Sequence, residues 1–335
     1  MLLPLCRPAT LWYDFAICRL HQEKENSLMN ELLQFTDIPK AENMIMIVGW
    51  RQWADAGSIS SGLPQYLIDT TNAQKIGVIR PDGFYLFQIP GTHHLVRPRI
   101  RLQDGYRQEI KEPRNEFYYT RLGEQGVIIF LGDEPHMNAH RYAQTFFDAI
   151  KALAVNNVVG VAGVYGPTPY DKDRQISCIY SLPQMRAGLA DYALNFSSYE
   201  GGSSIGSYLV SAAESENIPF IVLYGFVPAY DFAQSALQSQ GIQIENDFKA
   251  WYDIMRRLNH MFALHLDLTE LGQRTHNMVQ TIDEKIEEMA EENPGLNIKA
   301  YLEKLNEEFT ETPFLPLDDV WEQGLQGLFD DERDE

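Results

Sequence analysis

Cysteine is scarce. Cys6, Cys18 and Cys178 are the only three among 335 residues, widely spaced and without a C-x-x-C pair. That excludes a disulfide framework and a zinc ribbon, and a reducing cytoplasm is the expected compartment. No apolar run approaches the roughly 18 residues that a membrane-spanning helix needs, so no membrane partner is expected. The opening MLLPLCRPAT is broken by Pro4, Arg7 and Pro8 and lacks a leading basic stretch, unlike a signal peptide. Positive charge is short as well: 27 Lys and Arg against 47 Asp and Glu leave a net charge of −20. Such a surface repels phosphate backbones, so nucleic acid is not an expected partner.

Signature motifs are missing too: there is no G-x-G-x-x-G, no Walker A and no H-E-x-x-H. Neither a cofactor nor a metal is expected. His93 and His94 are adjacent, and adjacent side chains of an extended strand point to opposite faces, so one ion would hardly take both. His136 and His140 are four apart on an expected helix and could share a face, although a first-turn His and a solvent His are commoner than a metal site.

What is present is ordinary globular material, 44% apolar and 22% charged. The length suits one large domain with an appendage, or two domains. Acidity is concentrated at the end: residues 281–335 hold 18 acids and 4 bases. A solvated helical surface is the simplest reading of that excess.

Short β-branched runs alternate with helical patterns. Strands are expected at NMIMIVGW (43–50), QKIGVIR (74–80), FYLFQI (84–89), GVIIFLG (126–132), NVVGVAGV (157–164), ADYALNF (190–196) and IPFIVLYG (218–225). Several are apolar on both faces, as in a mostly parallel sheet covered on both sides. Helices are expected over 58–71, 136–155 and 203–216, which together predict an α/β layered domain. Turn signals over 81–122 predict an antiparallel excursion.

From Ile244 onward apolar residues recur at helical spacing, first to Phe262, then from Leu268 to Met289. NPG (293–295) breaks this stripe, and Ile298, Leu302, Leu305 and Phe309 begin another. The expected organisation is an extension at 1–28, poorly ordered and unlike the chain from Met29 onward; a core at 29–265; a helical hairpin at 266–311; and an acidic tail at 312–335 whose Trp321, Leu325 and Leu328 form a short docking helix.

In parallel α/β sheets ligands gather beyond the carboxyl ends of the strands, so the turns there are the candidate site. One turn carries Asp55 and Gly57, another Glu134 and Pro135, and a third Tyr199, Glu200, Gly201, Gly202, Ser203 and Ser204. Capping explains any one of these acids. Convergence of Asp55, Glu134 and Glu200 would instead crowd carboxylates and raise their pKa values.

Gly202-Ser203-Ser204-Ile205-Gly206 spells G-x-S-x-G, the nucleophile elbow of α/β-hydrolases. A triad also needs a later acid and a histidine at the strand ends, whereas His260, His265 and His276 all fall in helical patterns. Ser203 as a helix N-cap is the favoured reading, and exposed N–H groups at this helix start could also hold an anion.

Several turns together resemble one family, the proteins similar to proteasome assembly chaperone two. They are GWRQWADAGSI (49–59), PDGFYLFQ with the later Arg97-Pro98, GDEP (132–135), SYEGG (198–202) and VPAY (227–230), in that family's order and covering about 35–265. The resemblance implies a three-layer α/β/α fold with a mostly parallel mixed sheet, similar to nucleoside phosphorylases and related hydrolases, followed by a C-terminal helical appendage. It implies a homo-oligomer, a trimer or another order, a protein client, and an assembly-chaperone or scaffolding role without catalysis. A small-molecule site for a nucleoside-like ligand, or a hydrolase, is the alternative. Asp55, Gly57, Glu134, Pro135, Tyr199, Gly201, Pro228 and Tyr230 would sit on the family's turns. Thr168-Pro169 and Ala229-Tyr230 stand where relatives have a Pro-His pair, which argues against histidine chemistry. The ending DERDE differs from the hydrophobic-Tyr-x tail of proteasome-docking partners.

Overall fold

The computed structural model describes residues 31–88, 97–232 and 241–314. The extension at 1–28, the His93-His94 pair and the Trp321 segment lie outside the described residues.

Strand β2 (Asn43–Arg51) shows why the central runs are apolar throughout. Successive side chains of a strand face opposite ways. Ile45 and Ile47 enter one hydrophobic layer, while Met44, Met46, Val48 and Trp50 enter the other. The strands β7 (Gln125–Asp133), β8 (Asn157–Gly166) and β11 (Phe220–Asp231) divide their side chains in the same way. These four run parallel, in the order β7-β2-β8-β11, at the centre of a ten-stranded mixed sheet.

Antiparallel strands flank that centre. The strand β6 (Asn115–Leu122) pairs with β7, β3 (Gln74–Ile79) with β6, and β1 (Leu33–Phe35) with β3. On the far side β9 (Ile176–Tyr180) runs antiparallel to β11, with the two-residue β10 (Asn195–Phe196) parallel to β9. The end of β11 also pairs with β12 (Gly241–Gln243).

Helices α1 (Gly62–Thr70) and α5 (Phe248–Phe262) cover one face, and α2 (Ala139–Ala152) and α4 (Ile205–Ser215) the other. A short α3 (Met185–Leu189) precedes β10. The result is the α/β layering expected from the alternating pattern, in the three layers that the family resemblance implies. The long α6 (Thr269–Glu292) and α7 (Ile298–Glu308) add the helical appendage. They are joined through Pro294 and a left-handed Asn297. Leu271, Ile282, Ile286, Ile298 and Leu302 enter the same layer as α1 and α5, so the appendage packs on the core.

Four expectations fail. FYLFQI does not form a strand: Phe84 is buried edge-on against Tyr142, and its carbonyl accepts the His136 and Met137 N–H groups, so 84–88 runs as a loop. ADYALNF is strand only at Asn195–Phe196: residues 190–192 form a 3-10 turn instead, where the buried Arg257 guanidinium draws in the carbonyls of Tyr192 and Ala193. VPAY lies inside β11 rather than in a turn, since Val227 and Pro228 pair with Tyr165 and Gly166 of a longer β8. Helix α2 begins only at Ala139, so His136 and His140 do not share a helical face. The His136 Nδ1 instead accepts the Leu86 N–H.

The antiparallel excursion does appear. Within it, β4 (Arg99–Gln103) and β5 (Tyr106–Lys111) form a separate two-stranded ribbon. Ile100 pairs with Ile110, and both are exposed together with Leu102 and Tyr106.

Candidate functional site

Two glycines let the turn after β2 fold back over the sheet. A Cβ at Gly49 would lie 1.8 Å from the Ser60 carbonyl oxygen, and one at Gly163 would lie 2.0 Å from that of Ala56. The turn therefore descends onto β2 and β8, and Asp55 bridges to Gly163.

The Asp55 carboxylate is spent on its own turn. Its Oδ1 accepts the Ser60 and Ser61 N–H groups at 2.9 Å each, and its Oδ2 accepts the Ser61 hydroxyl at 2.7 Å. Burial pushes its pKa up, against those donors. Gly57 adopts φ 60° and gives its carbonyl to the Trp251 indole N–H at 3.0 Å and to the Asp247 N–H at 3.0 Å. It seats α5 under the sheet and does not face the turns around Ser204.

Glu134 caps a helix, but not its own. Its Oε1 accepts the Ile205 N–H of α4 at 2.6 Å, and its Oε2 accepts the Trp53 N–H at 3.2 Å. Burial raises its pKa, and those two donors oppose the rise. Pro135 follows as the chain leaves the sheet. The preceding Asp133 is buried, accepts Arg51 at 2.8 Å and takes the Arg114 N–H as well. Asp55, Glu134 and the exposed Glu200 thus have no shared contact, and the three carboxylates do not form one cluster.

Ser204, rather than Ser203, is the N-cap of α4. Its backbone is extended, its hydroxyl accepts the Ser207 N–H at 3.3 Å, and Tyr224 lies 3.3 Å away. The Ser203 hydroxyl bonds the Ser204 carbonyl and the Ser207 hydroxyl. The histidines sit elsewhere: His260 packs on Tyr192 and Phe314, and His265 lies beside Gly123 in the turn between β6 and β7. Among the described residues no imidazole bonds Ser204. The G-x-S-x-G spelling is a capped helix start, as the interval Ser197–Gly202 between strand and serine requires.

Beside this cap opens a cleft of about 460 Å³ at the ends of β8 and across β9 and β11. Of the expected residues, Tyr199, Gly202 and Ser204 line it, and Gly201 and Ser203 are exposed beside them. Trp53, Tyr165, Ser177, Ser207, Tyr224 and Phe226 also line it, and sequence reasoning missed all six. The one signal for Trp53 was its place in a turn at a strand end; Tyr224 and Ser177 are hidden inside strands. Trp53 and Tyr199 are 72% and 73% exposed at the mouth.

Tyr230 is not part of the cleft. Its hydroxyl donates to the Thr168 carbonyl at 2.7 Å, and its ring packs on Tyr170, Phe232 and Tyr301, tying α7 to the core. Nearby, the buried Arg174 pairs with Asp247 at 2.8 Å and donates to the carbonyls of Pro169, Tyr170 and Lys172. The Arg174 N–H donates to Asp253. This knot fixes the YDKDR loop to α5. Among the described residues there is no group of three or more His, Cys, Asp or Glu that could hold a metal ion. No helix among them is long and apolar enough to cross a membrane.

The PAC2 family model matches residues 49–286. Among solved structures, a proteasome-assembly chaperone homologue from Mycobacterium tuberculosis is 22% identical with a TM-score of 0.61, over 72% of this chain and 94% of that one. A PAC2 family protein from Streptomyces avermitilis is also 22% identical at 0.61, over 75% and 99%. An archaeal proteasome activator from Pyrococcus furiosus is 16% identical at 0.53, over 75% and 97%. At these identities the likeness is one of fold. No curated protein matches.

Proposed function

Because the chain belongs to the PAC2 family, we propose that it is an assembly factor, which self-associates and holds a protein client through its surface rather than acting on a substrate. A subunit of a proteasome-type protease is the client class that its fold relatives suggest. The cytoplasm, where the buried free thiol of Cys178 stays reduced, is the compartment proposed with it.

The observation that carries this reading is the β4–β5 ribbon. A two-stranded ribbon is marginal alone in water, and its apolar face normally packs on something. Here Ile100 and Leu102 are each 56% exposed and Ile110 is 43% exposed, on one face. Arg99, Arg101, Arg107 and Lys111 against Asp104 and Glu109 leave the ribbon a net +2 in a chain of net charge −20. The acid-rich α6 and α7 of a second copy complement it in charge, so self-association through ribbon and appendage is the arrangement favoured. The Asp55 and Glu134 carboxylates of the strand-end turns, by contrast, are committed to backbone N–H groups.

Size-exclusion chromatography with light scattering tests the first half. The full chain is expected to exceed the monomer mass, and Ile100→Lys with Leu102→Lys to return it to monomer. Photo-crosslinking from the ribbon in the native cell tests the second half, with reproducible adducts to the subunits of one complex expected. A wild-type chain that is monomeric at all concentrations and forms no adducts would overturn the proposal.

A further inference from the structure

The cleft beside Ser204 has a chemistry of its own. Among the described residues that line it there is no Asp, Glu, Lys, Arg or His. Its walls are rings, with Trp53 and Tyr199 at the mouth and Tyr224 and Phe226 from β11. Its polar groups are hydroxyls. Ser204 stands 3.3 Å from Ser207 and 3.3 Å from Tyr224, and Ser177 adds another from β9. A hydroxyl can rotate to donate or accept, so this set suits partners that do both. Burial raises the pKa of Tyr224, which keeps its phenol a neutral donor.

An anion is disfavoured. Helix N-termini attract anions through free N–H groups. In α4 the Ile205 N–H is given to Glu134 and the Ser207 N–H to Ser204. The Glu134 carboxylate lies just behind Ala54 and Ser204, which line both the cleft and the small void that Glu134 borders. A phosphate here would meet like charge, and no described lining residue is a cation that could offset it. The volume is that of a small-ligand pocket.

We propose that this cleft binds an uncharged, hydroxylated ring compound, a free sugar or a free nucleoside, stacked on Trp53 or Tyr199 with its hydroxyls on the Ser204–Ser207–Tyr224 set. A ring face covers the exposed indole or phenol. Uncharged hydroxyls replace the water that such a hydroxyl floor otherwise holds. The site goes beyond the assembly reading and is independent of it, since the ribbon takes no part.

Isothermal titration and saturation-transfer difference spectroscopy on the full chain test it. The probes are glucose, maltose, adenosine, uridine and the monophosphates of the two nucleosides. At least one neutral probe is expected to saturate. If a nucleoside binds, its monophosphate is expected to bind roughly tenfold weaker; if only a sugar binds, neither monophosphate should bind. Trp53→Ala or Tyr199→Ala is expected to weaken the neutral probe roughly tenfold while leaving thermal unfolding unchanged, because both side chains are exposed. Ser207→Ala tests the hydroxyl floor in the same way. Saturation by nucleosides alone or by sugars alone assigns the source. The proposal is overturned if no neutral probe saturates, if a monophosphate binds as tightly as its nucleoside, or if neither aromatic variant alters binding. Ile100→Lys with Leu102→Lys on the ribbon leaves this readout untouched, so the two readings can fail separately.

Discussion

The Glu134 carboxylate accepts the Ile205 N–H at 2.6 Å, joining a turn at the end of β7 to a helix start 71 residues later. With Trp53 on its other oxygen, one side chain holds three segments over the carboxyl edge of the sheet.

Removing that strap has a definite cost. Glu134→Ala leaves two N–H groups without their acceptor, at about 1–2 kcal/mol in all. Urea unfolding is expected to show that loss, with Glu134→Gln recovering part of it because an amide oxygen still accepts. Amide exchange at Trp53 and Ile205 is expected to speed up in both variants. Unchanged exchange at both positions would remove the strap from the account.

The serine spelling is tested by Ser204→Ala. Loss of a serine N-cap costs about 1 kcal/mol. Turnover of p-nitrophenyl acetate, if any is measurable, is expected to be equal in the variant and the wild type. An ester-cleaving activity abolished by this substitution would make the cap a nucleophile after all.

The Arg174–Asp247 pair is fully buried on both sides. Breaking a buried pair from one side strands the other charge, at about 3–5 kcal/mol. Arg174→Met and Asp247→Asn are each expected to lower the melting temperature strongly. The double variant is expected to lose less than the two singles combined, and a purely additive cycle would count against the pair.

Asp253 gives a pH signature. Burial, opposed by Lys249 and by the Arg174 N–H, pushes its pKa up to about 6 from an unfolded value of 3.8. The folded state therefore holds a proton that the unfolded chain releases. That contribution is fully present below the unfolded pKa and is lost as pH rises through about 6. Its size is of the order of 2–3 kcal/mol. In Asp253→Asn this component of the slope between roughly pH 4 and 6 is expected to vanish. An identical stability–pH curve in the variant would refute the assignment.

Much of the architecture could be read from the chain alone. The runs Met44–Val48, Val127–Leu131, Val158–Ala162 and Phe220–Leu223 have no charged or amide side chain on either face, which suits a strand covered on both faces. The stripes from Ile244 to Phe262 and from Leu268 to Met289 are one-sided, which only a helix lying on a core permits. Such patterns are local, and burial of one or two faces is enough to fix them. The ribbon and β9 carried weaker signals, because short, charged or mixed strands owe their existence to a partner strand rather than to their own composition.

The site was only half legible. Glycine-rich turns at strand ends pointed to Tyr199, Gly202 and Ser204, which do line the cleft. Gly57 and Tyr230 sit on equally suggestive stretches, yet one seats α5 and the other anchors α7. A capping acid and a converging acid have the same letters; what separates them is which N–H the carboxylate reaches, and for Glu134 that N–H is 71 residues away. Periodicity and turn chemistry determined the layers. The meeting of Trp53, Ser204 and Tyr224 around one opening depended on strand order and on the close approach at Gly49 and Gly163, long-range events that no local stretch of the chain encodes by itself.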